Sequence, residues 1–379
     1  MGLQDAYITG CGAFLPGEPV SNDRIEDFIG RIGNKNSVLG RRALVWNGVQ
    51  TRHYAFEANG GPLHTNASMC AEAVRRALDD AGLSRGDLGF LSAATTQGDY
   101  LTPGHAAMVH GELGGAPLEI ASFQSVCGSS LMAAKAAWQA VRTGEHDAAV
   151  ACAGEFASRW FRPEFYEGTD LVDAKGRLRA EADYLRFTLS DGAGAIALES
   201  KPKPNGVSLK IDFIDIVSLA GQFEPCMWAG ASVENRAEPI EAWGFAGPRA
   251  AHAAGAIALL QDFTLLKQVI RAWVGVYLKK VDSGRIDPNA VDHLLCHYSA
   301  KSLREEIIDL LESTAGMIPR EKWFSNLFTV GNIGSASIWV MLEEFLRTQT
   351  IKPGQKILCV VPESGRALVG FMMLEAVHA

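Results

Sequence analysis

The stretch that most limits how this chain can fold is Leu118 to Ala140: an apolar run, then Cys127-Gly-Ser-Ser, then an alanine-rich segment. Leu118 to Val126 has the composition of a buried strand. From Leu131 onward the residues are mostly Ala, with Leu, Met, Lys, Trp and Gln, all compatible with helix. A strand that passes at once into a helix leaves its turn beside free N–H groups and the positive end of the helix dipole. That setting predicts a stabilised thiolate at Cys127, and so a nucleophile near neutral pH. Gly128 permits close approach of a substrate or of another chain segment. A free cysteine is also among the most buried residue types and often does no more than pack. The turn alone does not choose between these two readings.

At 379 residues the chain is expected to divide into two halves, each of roughly 190 residues. Lys201-Pro-Lys-Pro-Asn-Gly is the linker-like stretch in mid-chain, giving halves at 1–200 and 201–379. The net charge of −8 argues against nucleic acid or an anionic membrane as partner. The seven cysteines are scattered, without a C-x-x-C pair, so neither a disulfide framework nor a zinc site is expected. A reducing, cytoplasmic setting follows, since no secretory signal or membrane-length apolar run is present.

Periodicity predicts strands at Ala6–Phe14, Leu88–Thr96, His146–Gly154, Leu189–Leu198 and Val207–Leu219, and again at Val291–His297, Lys356–Val361 and Ala367–Val377. Helices are expected from Ser21, over Thr65–Ala81 with Gly82 as its stop, over much of Phe245–Lys280, and at Lys301–Thr314 and Ser335–Thr348. Residues 31–50 read as irregular and basic, and 155–187 as an insertion. The alternation implies, in each half, mixed sheets covered by helices on both faces. Element order is similar between the halves, but no residue-level repeat is visible. Gly192-Ala-Gly194 runs into a strand rather than a helix, which rules out a dinucleotide turn.

Three segments carry chemistry: Cys127-Gly-Ser-Ser, Cys296-His297-Tyr-Ser-Ala and Gly331-Asn332-Ile-Gly-Ser-Ala-Ser. His297 ends an apolar strand, the usual place for a functional residue in an α/β protein. Asn332 lies in a glycine-rich turn just before a helix. A thiol, an imidazole and an amide together make a nucleophile and two polarising donors.

With these segments in view, the chain resembles the ketoacyl-acyl carrier protein synthase III branch of the thiolase-like condensing enzymes. The likeness also rests on Asn47-Gly-Val-Gln-Thr-Arg-His, Ala94-Thr-Thr and Ser190-Asp-Gly-Ala-Gly-Ala, in matching order over essentially the whole length. It implies a duplicated α-β-α-β-α five-layer fold, a homodimer, and a Cys127–His297–Asn332 triad. It further implies acyl transfer from an acyl carrier protein or coenzyme A thioester to Cys127. The N–H groups of Cys127 and Gly365 would hold the oxyanion. His297 and Asn332 would hold the enolate formed from a malonyl- or β-ketoacyl-type thioester, whose attack gives a new carbon–carbon bond. No metal or redox cofactor is implied.

Departures from the family pattern mark the substrate side. Tyr298-Ser299-Ala300 stands where Gln-Ala-Asn is usual, and Ser364-Gly365-Arg366 where three glycines are usual. Trp46 replaces an Arg that contacts coenzyme A, and Thr102 replaces a bulky Phe at the partner's acyl tunnel. Trp46, Thr102 and Ser364 are therefore the expected substrate-binding positions. Ser21-Asn-Asp and Pro362-Glu-Ser-Gly-Arg look most like ketosynthases of dialkylresorcinol-type secondary pathways.

A degradative thiolase would need a second cysteine in the C-terminal turn, whereas Cys359 lies inside the preceding strand. A papain-like hydrolase would carry its cysteine near the start of the chain, and a serine hydrolase would show G-x-S-x-G. Acyl transfer to a hydroxyl or amine on the same fold remains the alternative, since it would use the same Cys127 and His297.

Overall fold

The structure is a computed structural model that describes residues 2–58 and 60–378; Met1, Asn59 and Ala379, the outer two being the ends of the two expected halves, lie outside it. Ten strands form its sheet: β1 Tyr7–Phe14, β2 Phe90–Thr95, β3 Glu119–Gln124, β4 Ala148–Glu155, β5 Gly192–Glu199, β6 Val207–Ser218, β7 His293–Cys296, β8 Trp323–Phe324, β9 Lys356–Glu363 and β10 Leu368–His378. The order across the sheet is β8-β7-β9-β10-β6-β1-β5-β4-β2-β3. Read outward from the centre, the two sides are β1-β5-β4-β2-β3 and β6-β10-β9-β7-β8, the same path traced twice. Sense agrees as well: β5 runs antiparallel to β1 and β4, as β10 does to β6 and β9, while β2 and β7 lie parallel to their neighbours. The two sides meet through a short antiparallel contact, Tyr7 with Lys210 and Ile8 with Leu209. The chain thus holds a topological repeat that residue-by-residue comparison does not reveal.

Helices complete five layers. Asn66–Ala81 (α1) and His105–Leu113 (α2) cover one outer face, where Met69, Val74, Leu91 and Val109 are buried. Phe263–Asp282 (α4) and Lys301–Leu311 (α5) cover the other, over Val269, Ile270 and Phe371. Between them lie Ser129–Arg142 (α3) and Ser337–Thr348 (α6), whose Leu131, Trp138, Trp339 and Met341 share one core with strands of both sides. Small residues set the spacing of these layers. Gly12 in β1 lies so close to α1 that a Cβ would sit 2.1 Å from the carbonyl oxygen of Ala73.

The α1 expectation is met in detail: Thr65 caps the helix through the N–H of Ser68, and Gly82 ends it in the left-handed region at φ 72°. Other expectations need correction. The basic stretch contains a helix, Val38–Asn47, capped by the Ser37 side chain and closed by Gly48. Its outer face carries exposed Val45 and Trp46, which hid the helical period. Residues 155–187 are tied down rather than loosely inserted. They end in the helix Ala180–Arg186, and Arg186, fully buried, donates to the carbonyls of Phe161 and Gly30 and pairs with Asp183. The 245–280 region is largely helical as expected, as two short helices followed, after a two-residue strand, by α4. The run expected to be a buried strand is β3, an edge strand whose residues are all half-buried or exposed, with Ile120 at 40%. No helix among the described residues is long and apolar enough to cross a membrane.

Gly12→Ala should lower unfolding free energy by about 1–3 kcal/mol, because the new methyl meets rigid backbone rather than a movable side chain. Urea denaturation followed by circular dichroism reads this out, and unchanged stability would mean that α1 and β1 can separate at little cost.

Candidate active site

Cys127 sits between β3 and α3, buried at 8% exposure. His297 follows the last residue of β7, and Asn332 lies in the turn before α6; each is 4% exposed. All three line one cavity. Duplication explains the arrangement. The thiol comes from one half and the imidazole and amide from the other, so the three come together only where the halves meet.

Asn332 is held on both backbone and side chain. Gly331 before it takes φ 77°, and its own carbonyl accepts from the N–H of Ser190 at 2.8 Å. Its Oδ1 accepts from the N–H of Gly334 at 2.9 Å, which fixes the amide and leaves the NH₂ end for a ligand. Burial lowers the His297 pKa to about 4, so its imidazole is neutral at pH 7 and serves as a hydrogen-bond donor, not a cation.

The thiol departs from expectation. Burial, reinforced by the carboxylates of Glu363 and Glu155, raises the Cys127 pKa well above its ordinary value. The helix dipole acts the other way, but it contributes only fractions of a unit charge. Desolvation and two nearby carboxyl groups outweigh it, so the resting group is the neutral thiol.

Those two carboxyl groups were not assigned a role from the sequence, and they are related by the repeat. Glu155 is the last residue of β4, and Glu363 is the last residue of the matching strand β9. Each reaches into the other half. Glu363 accepts from the Ser125 hydroxyl at 2.5 Å and from the N–H of Gly128 at 2.8 Å, gripping the turn on both sides of Cys127. Glu155 Oε1 accepts from the N–H and hydroxyl of Thr96 and from the N–H and hydroxyl of Ser335, three residues beyond Asn332. Burial raises both carboxyl pKa values while these hydrogen bonds lower them. A charge placed at the end of an otherwise apolar strand, Ala-Ala-Val-Ala-Cys-Ala-Gly-Glu, was the available signal.

The remaining predicted positions fall in different places. Ser364 lines the cavity and donates to Gln261 Oε1 at 3.2 Å. Gly365 packs against Val126, where a Cβ would approach Cγ2 to 2.9 Å. Trp46 is 66% exposed and stands away from the cavity wall, and Thr102 is exposed in the loop before α2. The other motifs are structural: Asn47 donates to the Phe187 carbonyl, and Arg52 does the same at 2.7 Å. Asp191, raised to about 6 by burial, accepts from the N–H groups of Ala55 and Ser158. Cys359 is fully buried inside β9, which removes it as a second nucleophile.

Comparison with known proteins agrees with this fold. Residues 92–203 match the N-terminal domain model of beta-ketoacyl synthase, and residues 281–372 match the C-terminal model of 3-oxoacyl-[acyl-carrier-protein] synthase III. The beta-ketoacyl-[acyl-carrier-protein] synthase III of Bordetella petrii is 26% identical over 93% of each chain. Among solved structures, the tetronic acid condensing enzyme AbyA1 superposes with a TM-score of 0.76 at 20% identity, covering 98% of this chain and 99% of its own. OleA of Xanthomonas campestris gives 0.75 at 18% identity, covering 99% of each chain. A five-layer repeated fold with a cysteine, a histidine and an asparagine at the junction of its halves defines a thiolase-superfamily condensing enzyme. Within that class the matches support a ketoacyl-acyl carrier protein synthase III-like acyltransferase.

Glu363→Gln removes a negative charge from beside the thiol. The pH profile of Cys127 alkylation by iodoacetamide, followed by peptide mass, should therefore move to lower pH. A profile identical to wild type would mean that the thiol does not feel this carboxylate.

Proposed function

We propose that the enzyme forms a carbon–carbon bond by decarboxylative Claisen condensation, with the first acyl group carried on Cys127. The observation that carries this reading is the single cavity shared by Cys127, His297 and Asn332. A thioester carbonyl beside Cys127 is attacked by the sulfur, and the N–H groups of Cys127 and Gly365 hold the resulting oxyanion. Collapse expels the carrier thiol and leaves the acyl-enzyme. A second, malonyl- or β-ketoacyl-type thioester then presents its carbonyl oxygen to neutral His297 and to the amide NH₂ of Asn332. The enolate forms from a malonyl unit by loss of CO₂ and from a β-ketoacyl unit by loss of an α-proton, and in either case both donors strengthen toward the growing negative charge. The carbanion attacks the acyl carbonyl, and Cys127 departs as thiolate.

A raised thiol pKa fits this sequence of events. The free enzyme keeps a protonated, unreactive sulfur, and an incoming acyl chain must bring the thioester to it before proton loss is worthwhile. The thioester itself supplies the activation, so the reading invokes no metal or redox cofactor. Carriers consistent with the family are acyl carrier protein and coenzyme A. All seven cysteines are free and buried, in keeping with a reducing cytoplasm.

We infer a homodimer on separate grounds. Strand β3 pairs only with β2, leaving a six-residue outer edge open next to the nucleophile turn. A free edge of this kind is a template for pairing. Tyr100 and Leu101, at 61% and 76% exposure, lie with Thr102 in the nearby loop before α2, and the groove beside them opens toward Val126. Pairing of two β3 edges would bring the partner's loop to that groove.

Cys127→Ala should abolish acyl-enzyme formation in intact-mass assays with acyl thioesters. Asn332→Ala should retain loading but slow the loss of CO₂ by about 10²–10³-fold, the cost of one oxyanion donor. Glu155→Gln should follow Asn332→Ala, since it loosens the turn that carries the donor. Loading of Cys127→Ala would refute the nucleophile. A product mass showing an ester or amide instead of a new carbon–carbon bond would favour acyl transfer to a hydroxyl or amine.

Ile120→Lys places a charge on the open edge and should give a monomer by light scattering. A dimer unchanged in size would remove β3 from the interface.

A further inference from the structure

The short turn Ser364–Ala367 joins β9 to β10 and carries Gly365, whose N–H the condensation reading gives to the oxyanion. Every residue of that turn is held from outside the hairpin. The Ser364 hydroxyl donates to Gln261 Oε1 at 3.2 Å. The Gly365 carbonyl accepts from the N–H of Cys226 at 2.8 Å and from that of Met227 at 3.3 Å. Arg366 Nε donates to the Phe223 carbonyl at 2.9 Å, and the Ala367 carbonyl accepts from the N–H of Leu219 at 2.7 Å. All of these partners belong to one segment, residues 219–261, which links β6 to α4.

That segment is itself braced. Met227–Trp228 and Leu260–Gln261 pair as a two-stranded antiparallel ribbon, with Gln261 opposite Met227. The N–H of Asp262 donates to the Cys226 carbonyl at 2.8 Å, and the Asp262 carboxylate caps α4 through the N–H groups of Thr264 and Leu265. The ribbon thus hangs from a helix start, and the turn hangs from the ribbon.

The turn needs this brace. A Cβ at Gly365 would lie 2.9 Å from Val126 Cγ2 and 3.0 Å from Glu363 Oε1, so only glycine fits beside the nucleophile turn. Glycine is also the residue whose peptide rotates most freely. Two positions on, Ala367 is held at φ 56°, in the left-handed region that a side chain resists. Bonds from outside are what keep a turn of this kind in one conformation.

We infer that Gln261 is a positioning residue for attack on the acyl thioester, fixing through Ser364 and Cys226 the peptide whose N–H receives the oxyanion. This rests on the acyl-enzyme reading above and deepens it. The Gly365 N–H belongs to the Ser364–Gly365 peptide, and Gln261 ties both sides of it. It holds Ser364 directly and Gly365 by way of the Cys226 backbone. The direction of its amide is determined, because the Cys226 carbonyl can only accept. The NH₂ end therefore faces that carbonyl at 2.8 Å, and Oε1 is left for the Ser364 hydroxyl. Gln261 is 4% exposed and lines the active-site cavity. Its NH₂ group is nonetheless committed to the carbonyl and the sulfur of Cys226, so its effect on the reaction passes through the turn.

As the Cys127 sulfur bonds to the thioester carbon, the carbonyl π pair moves onto oxygen. When that pair returns, the carrier sulfur leaves with its bonding pair and takes up the proton that Cys127 gave up. A donor aimed at the oxygen acts while the charge is there. Rotation of the Ser364–Gly365 peptide turns the N–H aside, which slows the step without weakening thioester binding or altering the sulfur.

The test compares two reactions of Cys127 in the full-length enzyme, both followed by intact mass. Loading by acetyl, octanoyl and dodecanoyl N-acetylcysteamine thioesters passes through the oxyanion. Alkylation by iodoacetamide, a displacement at a saturated carbon, does not. Gln261→Met keeps the side-chain volume and removes both hydrogen-bonding ends. It should lower the maximal loading rate by about 10–10²-fold, less than the 10²–10³-fold of a deleted donor. The thioester concentration at half-maximal rate and the alkylation rate should stay as in the wild type. Ser364→Ala should give the same split, and the double variant should lose no more than the larger single loss, as two residues acting in one chain do. Loading at the wild-type rate in either single variant overturns the inference. A parallel fall in loading and alkylation overturns it too, since that marks a displaced site rather than a turned N–H. The condensation reading fails separately, in the wild type: a protein that iodoacetamide alkylates but that no thioester of the panel loads forms no acyl-enzyme.

Discussion

The structure depends on how closely each central helix approaches the sheet of the opposite half. A Cβ at Gly194 in β5 would lie 2.6 Å from the Cβ of Trp339 in α6, and a Cβ at Gly370 in the matching strand β10 would lie 2.6 Å from Cδ1 of Leu131 in α3. The two contacts are equivalents under the repeat. In each, a missing side chain lets a helix from one half settle onto a strand from the other. Everything in the middle layer follows, because α3 and α6 carry at their N-terminal ends the turns that present Cys127 and Asn332. A larger residue at either glycine would push one helix outward, and the turn ahead of it would move with the helix.

The carboxyl clamps repeat this crossed logic one level closer to the chemistry. Packing fixes where the helices lie, but a turn at a helix start can still rotate. Glu363 and Glu155 remove that freedom by hydrogen bonds from the opposite half. The gain carries a cost in reactivity, since a carboxylate beside a buried sulfur opposes its ionisation. Charge-assisted hydrogen bonds are the strong ones, so the arrangement favours position of the nucleophile over its intrinsic reactivity. A thioester substrate tolerates that choice, because a thiolate is a far better leaving group than the alkoxides or amines that hydrolases must expel.

Much of this was legible before any coordinates. The strand–turn–helix at Cys127, the strand ending at His297 and the glycine turn at Asn332 each announced themselves, because sharp turns restrict residue choice and chemistry-bearing side chains stand out in apolar surroundings. Thr65 and Gly82 likewise marked α1 to the residue. The helix Val38–Asn47 was missed because only its Gly40, Ala43 and Asn47 are buried, too few for a clear apolar stripe. Strand β3 was misread for the opposite reason. Its residues are apolar enough for a core, but in one chain they form an edge, and composition cannot separate burial within a chain from burial between chains. The repeat was legible only as a similar element order and as part of the family likeness, not residue by residue, because topology constrains order and sense, which many different sequences satisfy.

That misreading of β3 bears on how the site is completed. Its last residue, Gln124, lies three positions before Cys127, so any rotation of the edge strand is transmitted to the nucleophile turn through a short, stiff connection. Within one chain, β3 has a partner on one side only. Its register is held by β2, and Ser122 adds a hydrogen bond from the N–H of Ala106 at 2.9 Å. A second strand on the open side would fix the remaining freedom, as pairing on both sides does for any central strand. The exposed edge and the buried thiol are thus two consequences of one placement. By putting Cys127 just beyond its outermost strand, the chain makes the order of that turn sensitive to whatever covers the edge.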